Sequence, residues 1–289
     1  MILVTGVTGT TGGAALRALL ERDAPVRVLV RDPARFDAPE GVEVAVGEFA
    51  DPAALASALQ GVQGAYLVHP GTPAEVAAES AFISAAQRAG LPHLVLLSVV
   101  GADHPGIDAI RFGAAHRAVE AVASASGIPT TFLRPNGFLQ NYLGQAASIR
   151  EQGVFYSPLS PAAVVSHVDA EDIGAVAATV LTEPGHEGAA YTLTGPEALS
   201  DDDIAARLST ALGREVAHVQ VTPEDARASM VSMGYPEWVA DGIMELSAFY
   251  ETGGAAAVAA DIERLLGRPA RSVDDFAAAH REAFGGKAA

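Results

Sequence analysis

The sequence predicts an α/β protein in which a doubly wound parallel sheet, flanked by helices, carries a smaller C-terminal α/β lobe. Two observations predict this fold class. Short apolar, β-branched runs alternate with helical patterns along the first half of the 289 residues. A glycine-rich turn joins the first of these runs to the first helical pattern, as in sheets that bind ligands at the carboxyl ends of their strands.

The turn after the first strand carries the strongest functional signal. Residues 2–5 fit a buried strand, and Gly6, Gly9 and Gly12 then lead into an amphipathic helix. Glycine lets the backbone bend sharply and approach a ligand closely, while the N–H groups of a helix N-terminus attract an anion. The pattern therefore predicts a Rossmann-type site for the pyrophosphate of a dinucleotide, rather than a merely tight turn.

The end of the second strand indicates which dinucleotide binds. Residues 26–30 form the predicted strand, and Arg31 follows it about 20 residues after the glycine turn. An acidic residue there is typical of NAD(H) sites, whereas an arginine suits the 2′-phosphate of NADP(H). We therefore expect NADP(H) in preference to NAD(H). A solvated pair of Arg31 with Asp32 is the alternative interpretation.

The rest of the first half continues the alternation. Strands are predicted at residues 42–46, 65–68, 94–98 and 130–133, and a helix at residues 112–125. Asp51 before Pro52 is typical of a helix N-terminus, and Thr72 with Glu75 has the spacing of a capping box. Ligands bind over the carboxyl ends of parallel strands. One crevice is therefore expected to hold Gly6, Arg31, Glu48, His69, Ser98 and Asn136, with Phe49 beside an adenine ring.

The second half is less regular. It predicts strands at residues 164–168, 190–193 and 216–221, a helix at 169–181, and helix N-termini at Ser200 and Thr222. The acidic residues that follow Ser200 are interpreted as helix-dipole partners rather than metal ligands. We expect an NAD(P)-binding Rossmann domain at residues 1–150, interleaved with a smaller substrate or lid lobe at residues 151–289.

Composition excludes several classes of protein. The chain has no cysteine, and its histidines show no close pair, so we expect no metal and a cytoplasmic setting. The net charge of −17 disfavours nucleic acid, and there is no apolar run long enough for a membrane span. The expected partner is a small-molecule substrate, and a homodimer is an open alternative. Lys287 is the only lysine, so arginines and helix N-termini must hold any phosphate.

Several motifs together resemble one family, and they span nearly the whole chain. They are the glycine turn from Thr5 to Gly12, the Arg31 strand end, Gly47-Glu48-Phe49, Ser98, His116-x-x-x-Glu120, Ser126 to Pro129, and Leu133 to Phe138 with Asn141. This set resembles the NmrA-like atypical branch of the short-chain dehydrogenase/reductase superfamily, which includes NAD(P)H:quinone oxidoreductases of type 2. The branch includes quinone reductases, triphenylmethane-dye reductases and NADP-binding redox sensors.

The resemblance implies roles for particular residues. It implies that the pyrophosphate is held by Thr8, Gly9, Thr10 and Thr11, and that the 2′-phosphate contacts Arg31 with Arg35. It implies that Val68 and His69 flank the ribose and that Ser98 approaches the nicotinamide. The carboxamide would contact the backbone after Pro135, toward Asn136 and Phe138. We expect aromatic residues around the acceptor, namely Phe138, Tyr142, Phe155, Tyr156 and Trp238.

The usual proton donor of short-chain dehydrogenases is absent. A Tyr-x-x-x-Lys pair cannot occur, because no tyrosine lies four residues before Lys287. In many relatives of the branch a lysine stands where this chain has His116. Histidine titrates near neutral pH, so His116 is the first candidate for a catalytic proton donor and His69 the second. Ser98 is a candidate for orienting a substrate oxygen. A solvated helix histidine and a strand-end cap are the alternatives for His116 and Ser98.

The leading hypothesis is an NADPH-dependent oxidoreductase that passes hydride to a neutral conjugated acceptor such as a quinone. Direct hydride transfer depends mainly on positioning, so it needs no tyrosine and lysine pair. One alternative is a non-catalytic NADP(H)-binding redox sensor, and another is a biosynthetic tailoring reductase that acts on a carbonyl or imine with His116 as the acid.

Overall fold

The computed structural model describes residues 1–286, apart from the side chain of Pro105, so Lys287 lies outside the described residues. The strands among them are β1 (Ile2–Val4), β2 (Val26–Val30), β3 (Glu43–Val46), β4 (Gly64–Leu67), β5 (Leu94–Leu97), β6 (Thr130–Pro135), β7 (Val154–Ser157), β8 (Ala190–Leu193) and β9 (Ala217–Gln220). The α-helices are α1 (Thr10–Leu20), α2 (Pro52–Ala58), α3 (Glu75–Ala89), α4 (Arg111–Ala125), α5 (Ala146–Gln152), α6 (Ala170–Thr182), α7 (Asp201–Leu212), α8 (Pro223–Ser232), α9 (Glu237–Glu251), α10 (Asp261–Leu266) and α11 (Val273–Ala279).

The sheet confirms the predicted fold class. Within the described residues, seven strands pair in parallel in the order β3-β2-β1-β4-β5-β6-β8. The strand order reverses between β1 and β4, and such a switch point is where open α/β sheets bind their ligands. The glycine turn therefore begins at the strand end that this rule selects. No helix in the described part of the chain is long and apolar enough to cross a membrane.

The chain forms two compact units. The first, Met1–Pro135 with Ala170–Leu193, contains the seven-stranded sheet. Leu67, Phe82 and Leu94 belong to its fully buried core. On α6, a Cβ atom at Gly174 would lie 2.4 Å from the carbonyl carbon of Ala14, so glycine permits the close approach of α6 to α1.

The second unit comprises Asn136–Asp169 and the chain from Thr194 onward. Its strands β7 and β9 pair in parallel, and its core includes Phe155, Leu208 and Phe276. Residues 164–168, predicted as a strand, form no continuous ladder. The backbone N–H groups of Val165, Ser166 and Val168 instead donate to Leu199, Ala255 and Gly137, which are three separate segments. The strand prediction is wrong because these hydrogen bonds are divided among several partners.

Several local predictions are confirmed. Asp51 caps α2 by accepting hydrogen bonds from the N–H groups of Ala53 and Ala54, with Pro52 in the first position. Ser200 and Thr222 cap α7 and α8.

The capping box predicted at Thr72 and Glu75 does not form. The hydroxyl of Thr72 accepts only from the N–H of Ala74, at 3.3 Å, and α3 begins at Glu75 without a side-chain cap. The Glu75 side chain turns inward instead and is 2% exposed. The capping-box prediction is therefore wrong, because the Glu75 side chain is buried and does not bond to the start of the helix.

Candidate active site

We call the glycine turn after β1, from Gly6 to Gly12, the cradle. Two of its positions, Gly6 and Gly12, have no room for a side chain. Gly6 has a φ of +65°, and a Cβ atom there would lie 3.1 Å from the Val68 side chain. A Cβ atom at Gly12 would lie 2.3 Å from the carbonyl oxygen of Gly6, which excludes any larger residue without a backbone shift. Gly9 is the N-cap of α1 and, having no side chain, leaves the first N–H groups of the helix without a side-chain acceptor.

The positively charged side chains expected for a 2′-phosphate are exposed. Arg31 follows β2, and Arg35 lies in a single 3-10 turn at residues 33–35. Neither side chain forms a hydrogen bond or an ion pair with any residue in the described range 1–286. Asp32 does not pair with Arg31; its carboxylate accepts a hydrogen bond from the N–H of Ala34. The alternative of a surface Arg31–Asp32 pair is therefore not observed.

His69 lies just after β4, beside the cradle. The Thr5 hydroxyl accepts from the Val68 N–H at 2.8 Å and so connects the ends of β1 and β4. The His69 ring packs against Phe49, with ring centroids 5.7 Å apart. Its Nδ1 is inaccessible to solvent and has no hydrogen-bond partner among the described residues. Burial and, to a lesser extent, Arg31 lower the pKa of His69, so a neutral ring with an unsatisfied nitrogen faces this end of the sheet.

The Ser98 hydroxyl donates its hydrogen bond inside the protein, which leaves it only an acceptor for a ligand. Its hydroxyl donates to Glu120 Oε1 at 2.6 Å, and Arg134 holds the same carboxylate through Nε and Nη2 at 3.0 and 2.7 Å. Arg134 also donates to Asp103 at 2.8 Å. The proton of Ser98 is thus engaged, while its lone pairs remain for a donor such as an amide.

His116, on α4, contacts Glu75, which is one of two buried acids on α3. Its Nδ1 lies 3.2 Å from Glu75 Oε1. Glu79 follows one turn after Glu75 on α3 and is 1% exposed. Oxygen atoms Oε1 of Glu75 and Oε2 of Glu79 are shielded from solvent and have no hydrogen-bond partner in the described part of the chain. The His116 imidazole therefore lies against the carboxyl group of Glu75, and no described arginine or lysine pairs with Glu75 or Glu79.

Burial controls the protonation of this group. It raises the pKa of Glu75 to about 7. Burial, with a further contribution from Glu75, raises the pKa of Glu79 well above its usual range. Burial lowers the pKa of His116 to about 4, against the opposing field of Glu120. Near neutral pH His116 is therefore uncharged, Glu75 is close to the midpoint of its titration, and burial favours the protonated form of Glu79.

Asn136 is engaged inside the second unit. Its amide donates to Ser166 Oγ at 2.9 Å and to the carbonyl of Ala255 at 2.8 Å, while its oxygen accepts from the Gly137 N–H. Both amide protons are therefore committed. The Asn136 side chain thus fixes the start of this unit, and the carbonyl of Gly137 accepts from the Val168 N–H.

The aromatic residues predicted around the acceptor differ in exposure. Phe155 is fully buried and packs edge-on against Tyr142 in the core of the second unit. Tyr142 is also buried, and its hydroxyl donates to Asp201 at 2.5 Å. Tyr156 is 43% exposed on β7. Phe138 and Trp238 are half-buried.

Glu75 and Glu79 are the functional candidates that the sequence prediction missed. A signal was present, since two acids four residues apart on one helix share a face with the buried Phe82 and Ile83. No group of three or more metal-binding side chains occurs among the described residues.

Comparison with known proteins gives a consistent family. The model of the NmrA-like family matches residues 1–276. The chain is 42% identical to an NAD(P)H azoreductase of Xenophilus azovorans over 289 residues, covering 99% of each protein. It is 40% identical to a (4-alkanoyl-5-oxo-2,5-dihydrofuran-3-yl)methyl phosphate reductase of Streptomyces griseus, covering 98% of this chain and 99% of the relative. The crystal structure of the NADPH complex of an Escherichia coli NADPH-dependent quinone oxidoreductase superposes with a TM-score of 0.86 at 29% identity, covering 96% and 99% of the two chains.

Proposed function

The chain belongs to the NmrA-like family, and from that premise we infer that it is an NADPH-dependent oxidoreductase that reduces a neutral conjugated acceptor. Relatives that share its full length are named for the reduction of azo compounds and of a dihydrofuranyl methyl phosphate, and a structural neighbour is a quinone oxidoreductase with bound NADPH. Quinones and azo compounds are flat and conjugated, and their reduction requires a hydride and a proton. We propose a quinone-like acceptor for this chain.

One observation carries the proposal. The N-terminus of α1 lies above a cradle that a Cβ atom at Gly12 would fill, and Arg31 projects without a described partner from the end of the next strand. The helix N-terminus suits a pyrophosphate, and Arg31 supplies the positive charge that a 2′-phosphate requires. The cradle fits a dinucleotide and favours the phosphorylated form.

We propose the following cofactor contacts. The pyrophosphate would rest on residues 8–11 and the 2′-phosphate on Arg31 and Arg35. Phe49 and exposed Glu48 would border the adenosine half, and Val68 with His69 would flank the ribose. Ser98, whose hydroxyl donates a hydrogen bond to Glu120, would accept one from the carboxamide.

The chemistry divides between cofactor and protein. When bound, the reduced nicotinamide supplies a hydride. Residues of the chain position the acceptor, exclude water and deliver the proton. His116 is the candidate donor, because an imidazole can release the proton of one ring nitrogen to an oxygen or nitrogen that gains negative charge while its other ring nitrogen takes up a proton.

The partner class follows from charge. The net charge of −17 opposes binding to nucleic acid, so we propose a small-molecule partner. The absence of cysteine agrees with a cytoplasmic location.

The test is steady-state oxidation of NADPH and NADH by the purified protein. The acceptor panel contains a neutral benzoquinone, an azo dye and a phosphorylated butenolide. We expect turnover of the quinone with a preference for NADPH, and the preference should fall in Arg31→Ala but not in the matched control Arg88→Ala, which changes an exposed arginine on α3. Protein that binds NADPH but reduces none of the acceptors would contradict the proposal and favour a non-catalytic redox sensor.

A further inference from the structure

Each of two buried acids on α3 has an oxygen without a hydrogen-bond partner in the described part of the chain. Glu75 and Glu79 are 2% and 1% exposed, and no arginine in the described part of the chain pairs with either. A buried carboxyl group without a charged partner destabilises the fold, since its ionised form has lost its hydration. Side chains of this type at this depth are typical of sites where a proton is stored or moved.

His116 connects these acids to a more accessible position. Glu75 Oε1 is 3.2 Å from His116 Nδ1, and His116 is 22% exposed whereas Glu75 is 2% exposed. The second oxygen of Glu75 lies near the loop after β4, 3.9 Å from the position of a Cβ atom at Gly71. The imidazole is thus the more exposed partner of the contact, and its Nε2 is the nitrogen left for a ligand.

The charged groups around this contact are few. On α3 the neighbour is Glu79, and after β4 it is His69, whose field acts on His116. On α4, Glu120 lies one turn beyond His116 and is held by Arg134 from β6. Arg117, next to His116 in sequence, lies 3.7 Å from Asp108.

We propose that Glu75 is a positioning residue for the reductase reaction, holding a proton on Oε1 against His116 Nδ1 and passing it there as His116 releases its Nε2 proton to the reduced acceptor. The proposal rests on the proposed reductase function. Burial and the charge of ionised Glu75 raise the pKa of Glu79, so the two neighbouring acids do not readily carry negative charge together.

The step balances in protons and needs no further reactant. Before transfer, Glu75 is a carboxylic acid and His116 carries its hydrogen on Nε2. As the acceptor gains hydride, the Nε2–H bond breaks and an acceptor O–H or N–H bond forms. The Glu75 O–H bond breaks and an Nδ1–H bond forms, which leaves a carboxylate and the other neutral tautomer of His116. Once product has left, a solvent proton added at Nε2 returns the Nδ1 proton to Glu75.

Protonation near neutral pH agrees with this direction of transfer. Because burial raises the pKa of Glu75 to about 7, the acid keeps its proton at lower pH and releases it within the physiological range. Burial lowers the pKa of His116 to about 4, so the imidazole relays a proton without becoming a stable cation. This chain lacks the tyrosine and lysine pair, and the Glu75–His116 contact would replace its supply of a proton.

A measurement without cofactor or acceptor tests the contact directly. The tautomer of His116 is followed from pH 5.5 to 9 by NMR of protein labelled with 15N-histidine, with His116→Asn used to identify the signal. We expect hydrogen on Nε2 while Glu75 is protonated and on Nδ1 after it ionises, with a midpoint near pH 7. The change should vanish in Glu75→Gln and persist in Glu40→Gln, which alters an exposed glutamate. A single tautomer throughout this range in the wild type would overturn the proposal.

A double-mutant cycle tests the catalytic consequence. Glu75→Gln should lower kcat at pH 6 by about 10-fold or more, as expected for a lost proton source, with KM for NADPH unchanged. His116→Ala should lose at least as much, and the double variant should lose no more than His116→Ala alone. Independent, multiplying losses or an unchanged kcat in Glu75→Gln would overturn the relay. If the wild type oxidises no NADPH, the proposed function fails, whereas the tautomer result still stands.

Discussion

Replacing Glu75 by glutamine should make the protein more stable at alkaline pH than at acidic pH, relative to the wild type. Glutamine has the shape of the protonated acid and never ionises. The folded wild type binds the Glu75 proton more tightly than the unfolded chain, since burial raises the pKa of Glu75 from 4.5 to about 7. Wild-type folding stability from this group therefore falls as pH rises between these two values and then stays level.

The magnitude follows from the size of that shift. One pKa unit corresponds to about 1.4 kcal/mol, so ionisation of Glu75 lowers the free energy of unfolding by about 3 kcal/mol above pH 7. Part of this loss is already present at pH 5, because an unfolded glutamate is then more than half ionised. The advantage of Glu75→Gln should thus grow by roughly 2–3 kcal/mol between pH 5 and pH 8.

Thermal unfolding followed by circular dichroism provides the assay. For a chain of this size the expected growth corresponds to about 5 °C in the difference between the melting temperatures of variant and wild type. Glu40→Gln removes one charge from the same acidic protein at an exposed position, and it controls for the change in net charge. Equal advantages at pH 5 and pH 8, or the same trend in Glu40→Gln, would refute a buried Glu75 with a raised pKa.

Other predictions concern the cofactor cradle and the second unit. Arg31→Ala should raise KM for NADPH about 10- to 100-fold by removing a charged hydrogen-bond partner, while KM for NADH stays constant; a parallel rise in both would contradict a 2′-phosphate contact. Gly12→Ala places a Cβ atom 2.3 Å from the carbonyl oxygen of Gly6, so calorimetry should detect no NADPH binding by protein whose circular dichroism is normal. Tyr142→Phe leaves buried Asp201 without its donor at 2.5 Å and should lower the free energy of unfolding by about 1–3 kcal/mol, measured with urea; an unchanged value would show that Asp201 finds another donor.

Much of the first unit was predictable because its signals are local. The spacing of Gly6, Gly9 and Gly12 reflects a steric requirement of one turn, and strand ends such as Val30 before Arg31 are marked by changes from apolar to charged residues. The parallel order of the strands then places those ends together. Asp51 was predicted correctly for the same reason, because a helix cap depends on atoms two and three residues away.

Residues whose environment depends on distant segments were harder to predict. The spacing of Thr72 and Glu75 fits a capping box as well as it fits an inward-facing acid, and only contact with His116 on α4 decides between them. Phe155 lies in a region rich in aromatic residues, but its pattern does not tell a pocket from the core formed with Tyr142. The segment at 164–168 failed as a strand because three separate segments share its hydrogen bonds.

The first unit places two glutamates in opposite environments. Glu120 is ion-paired with Arg134 and accepts a hydrogen bond from the Ser98 hydroxyl, which leaves only the lone pairs of Ser98 for a ligand. Glu75 pairs with no described arginine, and its Oε1 lies 3.2 Å from Nδ1 of the His116 imidazole. Proteins can give two side chains of the same type different acid and base roles by placing them in different surroundings. On this reasoning the Ser98 side of the proposed site would orient an amide, whereas the His116 side would supply protons.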